Sequence, residues 1–477
     1  MTRSNCSEQP RLYGQLNTGS IVFMVIAAAA PLTVIGGNAP IAIASGNGAG
    51  APVGFLIAST VMLLFSIGFM ALTPHVKEAG AFFSYVSLGL GKRLGTGTAY
   101  IALIAYTAMQ AAMYGYMGWA VNDFVTNKGG AEVHWAIYAL ITAALIAYLG
   151  YRHIELSSKV LGIALVLELL VVLIMNFFIM DSGGSAGISL ASFDPGTAFS
   201  SGLGIAILFA LTGFIGFEAT AVFRDEAKNP AKTIPRATYL AVAIIGVFYT
   251  FSVWALVVAH GSDMVAATAQ RTLDGEANLL LDTAEAFGGG LLREVMQVLL
   301  LTSIFACVLS FHNVLARYQF NLGCRGTLSK KLTHVHPEHQ SPSTASLVQT
   351  FTAVIIIVLC VALNLDPLTQ VFGYMAGIAT VGMIGMMLLT TLATLFFFKN
   401  NLKLAQGKTW QTRVAPSLTT LMLVGCLWLV LSNFTMITGG SVQVSAVIAL
   451  IPLVAFIIGV LFGRSDSLAS QTDPVTS

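Results

Sequence analysis

Two carboxylates sit where carboxylates are costly. Glu168 and Glu218 fall inside long apolar stretches of a 477-residue chain with only 21 Asp and Glu. An ionisable side chain at membrane depth marks a functional position unless a neighbouring helix absorbs it. Glu168 lies about eleven residues into its apolar segment, roughly 17 Å from the end at 1.5 Å per residue, which is mid-bilayer. It reads as a proton carrier or as a neutral strut hydrogen-bonded to the next helix. Glu218 follows a glycine-containing interruption by a few residues. It reads as a ligand contact or as a carboxylate satisfying unwound N–H groups.

The interruptions carry the second signal. The first apolar stretch, about 18–45, is broken at Ile35-Gly36-Gly37-Asn38-Ala39-Pro40, and the sixth, about 201–223, at Thr212-Gly213-Phe214-Ile215-Gly216. Unwound backbone survives in a membrane only where it lines a protein cavity, since lipid cannot satisfy its N–H and C=O groups. Paired breaks in corresponding segments point to a binding site at the midplane. One half-helix offers free N–H groups to a carboxylate, and the other offers carbonyls to an ammonium. A zwitterion needs both. Gly36, Gly37 and Gly213 would let backbone approach the ligand with no Cβ in the way. Gln110 and Met113, three apart in the third segment with Tyr106 and Tyr114 nearby, share a helix face. His312 reads as a cavity residue or a helix contact. His334, His336 and His339 lack a fourth partner and a ligand motif, so no metal is expected. Cys6, Cys307, Cys324, Cys360 and Cys426 show no paired spacing, and neither disulfides nor zinc are expected.

These residues need helices in lipid to hold them. The chain is 56% hydrophobic and 9% charged, with a mean hydropathy of +0.81, which no soluble globular domain of this size matches. At roughly twenty apolar residues per crossing, the sequence predicts an all-α integral membrane protein with twelve transmembrane helices. They centre near residues 31, 62, 110, 142, 169, 212, 248, 304, 354, 382, 425 and 452. With both termini cytoplasmic, only Lys128, Arg271 and Arg293 of the 23 basic residues fall outside, a strong positive-inside bias. The expected organisation is a cytoplasmic tail over 1–17, a transporter domain over 18–463 and a cytoplasmic tail over 464–477. Within the domain the halves are about 18–181 and 200–398, with extra helices over 415–463. Residues 1–19 have no compact apolar core or cleavage site, so no signal peptide is read. The outer segment 260–292 is expected to hold a short surface helix, and the inner segment 74–96 a re-entrant or interfacial one.

Several stretches resemble one family. Gly216-Phe217-Glu218-Ala219, Glu226-Ala227-Lys228-Asn229-Pro230 and Ile234-Pro235-Arg236-Ala237-Thr238 are similar to the sixth helix and following inner loop of amino acid–polyamine–organocation (APC) permeases. Ala316-Arg317-Tyr318, Gly326-Thr327-Leu328, Val335-His336-Pro337 and Pro342 resemble that family's loop after the eighth helix. Glu78-Ala79-Gly80-Ala81-Phe82 resembles its first inner loop. The resemblance covers about residues 15–400. It implies the leucine-transporter fold: a 5+5 inverted repeat with broken helices one and six, plus two further helices, working by alternating access. The binding positions it carries over are Gly36, Gly37 and Asn38, then Thr212, Gly213, Phe214 and Ile215, and Gln110 and Met113. Ile35 and Glu218 flank them. Thr212 stands where many relatives have an aromatic gate, which moves gating to Phe214 or Phe209. Glu168 stands where many sodium-independent members have a lysine.

The expected function is a permease moving an amino acid or related amine across the cell membrane, with a proton as coupling ion. Exchange of substrate for product, or nutrient sensing without transport, are the alternatives. The spans offer no nucleophile, paired carboxylates or metal cluster, so an enzyme is not expected and no cofactor is implied. Nothing suggests nucleic acid as a partner; the expected partners are substrate, proton and lipid bilayer.

Overall fold

The structure, a computed structural model, describes residues 17–76, 82–151, 158–218, 227–336 and 341–463. Expectations about both tails, about Lys77–Ala81, Arg152, Ala219–Glu226, Pro337 and His339 fall outside these residues. Every regular element among the described residues is helical, as apolar runs without alternation dictate. Among the described residues eight helices are long and apolar enough to cross a membrane, and Trp135–Tyr151 and Leu203–Thr212 are shorter apolar helices.

In chain order, α1 spans Thr18–Ala28, α2 Ala51–Leu72, α3 Phe82–Leu90, α4 Lys92–Asn127, α5 Trp135–Tyr151, α6 Ser158–Ser182 and α7 Leu203–Thr212. Then α8 spans Pro230–His260, α9 Val265–Leu273, α10 Leu279–Cys324, α11 Ser343–Ala362, α12 Gly373–Asn400, α13 Ala415–Asn433 and α14 Val442–Phe462. Prolines sit in the first turn of α2, α8 and α13, where their missing N–H costs nothing. The long α4 runs through the centre and packs against α10, α12 and α14. Small residues allow that approach: a Cβ built on Gly459 of α14 would lie 2.8 Å from the Cα of Gly97. Lipid supplies no hydrophobic drive between helices, so such close backbone packing is what holds them. The expected surface helix is α9, which packs on residues 39–47 of the first segment. The inner segment forms α3, whose Phe82–Val86 stretch is buried.

The first segment breaks upstream of the expected place. α1 ends at Ala28, and Ala30 adopts φ 46 and ψ 67 before the helix resumes at Pro31. Proline is the cause. It lacks the N–H, its ring clashes with the carbonyl four residues back, and it pushes the preceding residue out of the α region. Gly36 and Gly37, expected to be the break, instead sit within a wide π-type turn over Val34–Asn38. A second such turn spans Ala42–Asn47, with Gly46 non-helical. In the sixth segment the helix stops at Thr212, inside the expected interruption. Turns follow through Glu218, with Gly216 at φ 109, a value that suits glycine.

Candidate functional site

Both breaks open on one small cavity. Ala29, Ala30, Thr33, Val34 and Asn38 line it from the first segment, and Thr212 and Ile215 from the sixth. Met109 and Met113 of α4 and Cys307 and Phe311 of α10 complete the wall. Its volume is about 10 Å³, room for about one water molecule. An amino acid enters only if the surrounding helices part. No lining side chain carries a charge. A larger groove of about 670 Å³ lies between α2, the start of α7 and α13. It contains no residue of the first segment's break and neither buried carboxylate.

The polar groups around the cavity are tied to helices behind it. Asn38 donates through Nδ2 to the Phe209 carbonyl at 2.8 Å, which joins the first segment to the last turn of α7. Its Oδ1 is buried without a partner among the described residues. Thr212 donates to the Leu208 carbonyl at 2.8 Å and shares a short hydrogen bond with Thr380 of α12. Thr33 donates to Ser303 Oγ at 3.1 Å, and Ser303 donates to Glu168 Oε2 at 2.8 Å. A hydrogen-bonded chain therefore links the cavity wall to a buried carboxylate.

Glu218 is held at the other break. One oxygen accepts the Gly216 N–H at 3.0 Å, and the other accepts the Tyr106 hydroxyl of α4. It does not line the cavity. Tyr249 of α8 ties the breaks to each other, its hydroxyl lying 3.1 Å from the Ala29 carbonyl oxygen and 3.2 Å from that of Gly213.

Of the residues expected at the site, Asn38, Met113, Thr212 and Ile215 come together at the cavity. Ile35, Gly36, Gly37, Gln110, Gly213, Phe214 and Glu218 do not line it. A Cβ on Gly36 would lie 2.7 Å from the Tyr116 hydroxyl, and one on Gly37 2.9 Å from the Tyr116 ring. A Cβ on Gly213 would press on Val34 and Tyr249, 3.0 and 3.1 Å away. Phe214 packs edge-on to Tyr249, with ring centroids 5.8 Å apart. Gln110 belongs to a buried ladder: Gln319 donates to Gln349 and Gln349 to Gln110, each at 2.7 Å. His312 pairs with Ser346 of α11 at 2.9 Å and is a helix contact. His334 faces Ser343 at 3.1 Å, and no cluster fit for a metal occurs among the described residues. Sequence reasoning missed Met109, Thr33, Ser303 and Tyr249. Met109 and Met113 are four apart, a spacing that places both on one stripe.

Comparison with known proteins adds a family. Residues 16–462 match the profile described as amino acid permease. The chain is 22% identical to the branched-chain amino acid permease of Bacillus subtilis (strain 168) over 405 residues, 81% of each chain. It is 22% identical to the serine/threonine exchanger of the same organism over 338 residues, 69% of this chain and 73% of that one. It is 27% identical to the L-methionine/branched-chain amino acid exporter of Escherichia coli (strain K12) over 221 residues, 43% and 49%.

Proposed function

Because the chain belongs to the amino acid permease family of APC transporters, we propose that it is a secondary active transporter for a neutral amino acid. It crosses the cell membrane twelve times with both termini cytoplasmic, in two inverted five-helix halves and two added helices. It works by alternating access around the cavity between the breaks. The carrying observation is that the two breaks, made by different residues far apart in sequence, meet at one buried space.

The lining argues for the substrate class. The carbonyls of Ala29 in the lining and Gly213 behind it, which share the single Tyr249 hydroxyl, suit an ammonium, and Asn38 and Thr212 offer polar contacts. The remaining wall is apolar and uncharged, which disfavours polyamines and acidic side chains, since a buried charge needs a partner. Glu168 is the proton carrier in this reading. Its chain through Ser303 and Thr33 lets a change at the cavity alter the carboxyl's partners. Ile35, Gly36, Gly37, Gln110, Gly213, Phe214 and Glu218 shape the site from behind the lining.

Uptake of radiolabelled leucine, serine, methionine, glutamate, lysine and putrescine into proteoliposomes tests the proposal. Accumulation of a neutral amino acid driven by an inward proton gradient is the expected result. Uptake confined to lysine, glutamate or putrescine would overturn the substrate class. Similarity to a serine/threonine exchanger supports a second reading, obligate exchange; uptake only into liposomes preloaded with amino acid would select it.

A further inference from the structure

The Tyr249 hydroxyl sits between the carbonyl oxygens of Ala29 and Gly213, one from each break. Among the described residues neither oxygen takes another hydrogen bond. Tyr249 is fully buried, and Phe214 and Phe55 pack edge-on to its ring, with centroids 5.8 and 6.2 Å away. The hydroxyl has one proton, so it satisfies one carbonyl at a time or is shared between the two.

A carrier that returns empty must pass through a closed state with nothing bound. A substrate ammonium would satisfy break carbonyls in the loaded state. Without it, those oxygens are buried with no donor, which is costly. The cavity beside them holds about one water molecule at most. We propose that Tyr249 is a positioning residue that takes the place of the substrate's ammonium group at the two breaks when the carrier closes empty. Substrate arrival brings the ammonium to both carbonyls and displaces the hydroxyl from them. The inference rests on the transport reading above and adds to it a residue that serves only the unloaded half of the cycle.

Two kinds of flux separate these states. Net uptake requires the empty carrier to return, whereas exchange between loaded compartments does not. Tyr249→Phe keeps the ring packing and removes only the hydroxyl. In proteoliposomes given a radiolabelled mixture of neutral L-amino acids, this variant should lose about tenfold or more in net uptake while exchange stays within about twofold. Incorporation of p-aminophenylalanine at position 249 returns an N–H donor and should restore net uptake. If the Phe variant does not reach the membrane folded, p-aminophenylalanine and p-fluorophenylalanine, equal in length and different in the donor, are compared in its place. An equal fall in both fluxes, or unchanged net uptake, overturns the inference while leaving the transport reading intact. Wild-type protein that shows neither flux overturns both.

Discussion

The carboxylate of Glu168 accepts the hydroxyl proton of Ser303 at 2.8 Å. Ser303 in turn accepts the Thr33 hydroxyl at 3.1 Å, so a side chain of α6 is tied through α10 to the first segment just past Pro31. An ionised carboxylate is the stronger acceptor for such a donor. In the transport reading proposed above, protonation weakens that bond and ties proton binding to the geometry of the break.

Glu168→Gln mimics the protonated form and does not titrate. The variant should keep exchange of neutral amino acids and lose accumulation driven by an inward proton gradient. Glu168→Ala should also destabilise the protein by about 2 kcal/mol, because the buried Ser303 hydroxyl loses its acceptor. Flux assays at equal and unequal pH across the liposome membrane separate the two effects. Normal gradient-driven accumulation by Glu168→Gln would leave the carboxyl with only a structural part.

Gly36 serves the packing of Tyr116. Gly36→Ala places a methyl against the Tyr116 hydroxyl, 2.7 Å away in the unaltered geometry. A loss of about 1–3 kcal/mol is expected from such overpacking. Among the described residues Tyr116 Oη has no hydrogen-bond partner, so Tyr116→Phe should recover most of the loss. A thermal-unfolding double-mutant cycle measures this coupling. If the substrate affinity of folded Gly36→Ala falls and Tyr116→Phe does not restore it, the glycine touches the ligand.

In the transport reading proposed above, Met113 sets the size of the space facing the substrate's side chain. Met113→Ala removes a flexible apolar wall of the cavity and should shift preference toward bulkier neutral amino acids. A change of about 1–3 kcal/mol in discrimination, roughly 10-fold or more, is the scale that one apolar group provides. Competition of unlabelled phenylalanine against labelled alanine reads it directly. An unchanged competition order would place the substrate's side chain against another wall.

Topology is checked by labelling. In a background without the five native cysteines, Ala131→Cys and Gln406→Cys occupy exposed positions on the two sides expected from the basic residues. An impermeant maleimide should label position 131 in intact cells and position 406 only after lysis. The reverse pattern would invert the chain and exchange the directions of every half-helix.

Much of this arrangement was legible in the sequence. Hydropathy gave the apolar helices, and Thr212-Gly213 marked the sixth segment's stop because glycine readily leaves helical geometry. The first break was misplaced because glycines 36 and 37 outweighed Ala30-Pro31, although proline constrains the backbone more severely than glycine does. Gln110 was assigned to the site because helical periodicity tells which residues share a face but not which face meets the cavity. Met109 and Met113 take that face, and Gln110, about 100° round from Met109, meets Gln349 instead. Tyr249 and Ser303 were invisible, since a polar tip in an apolar helix gains meaning only from the oxygen opposite it.

The two breaks differ in what straightening them would return. Ala30 holds its left-handed backbone with a Cβ present, at roughly 1–2 kcal/mol. Gly216 holds φ 109 with no side chain to resist it. Straightening the first segment would relieve Ala30 but meet the Pro31 clash, which costs about 3 kcal/mol. The sixth is a free hinge, so rewinding toward a continuous helix is resisted in one half of the molecule alone.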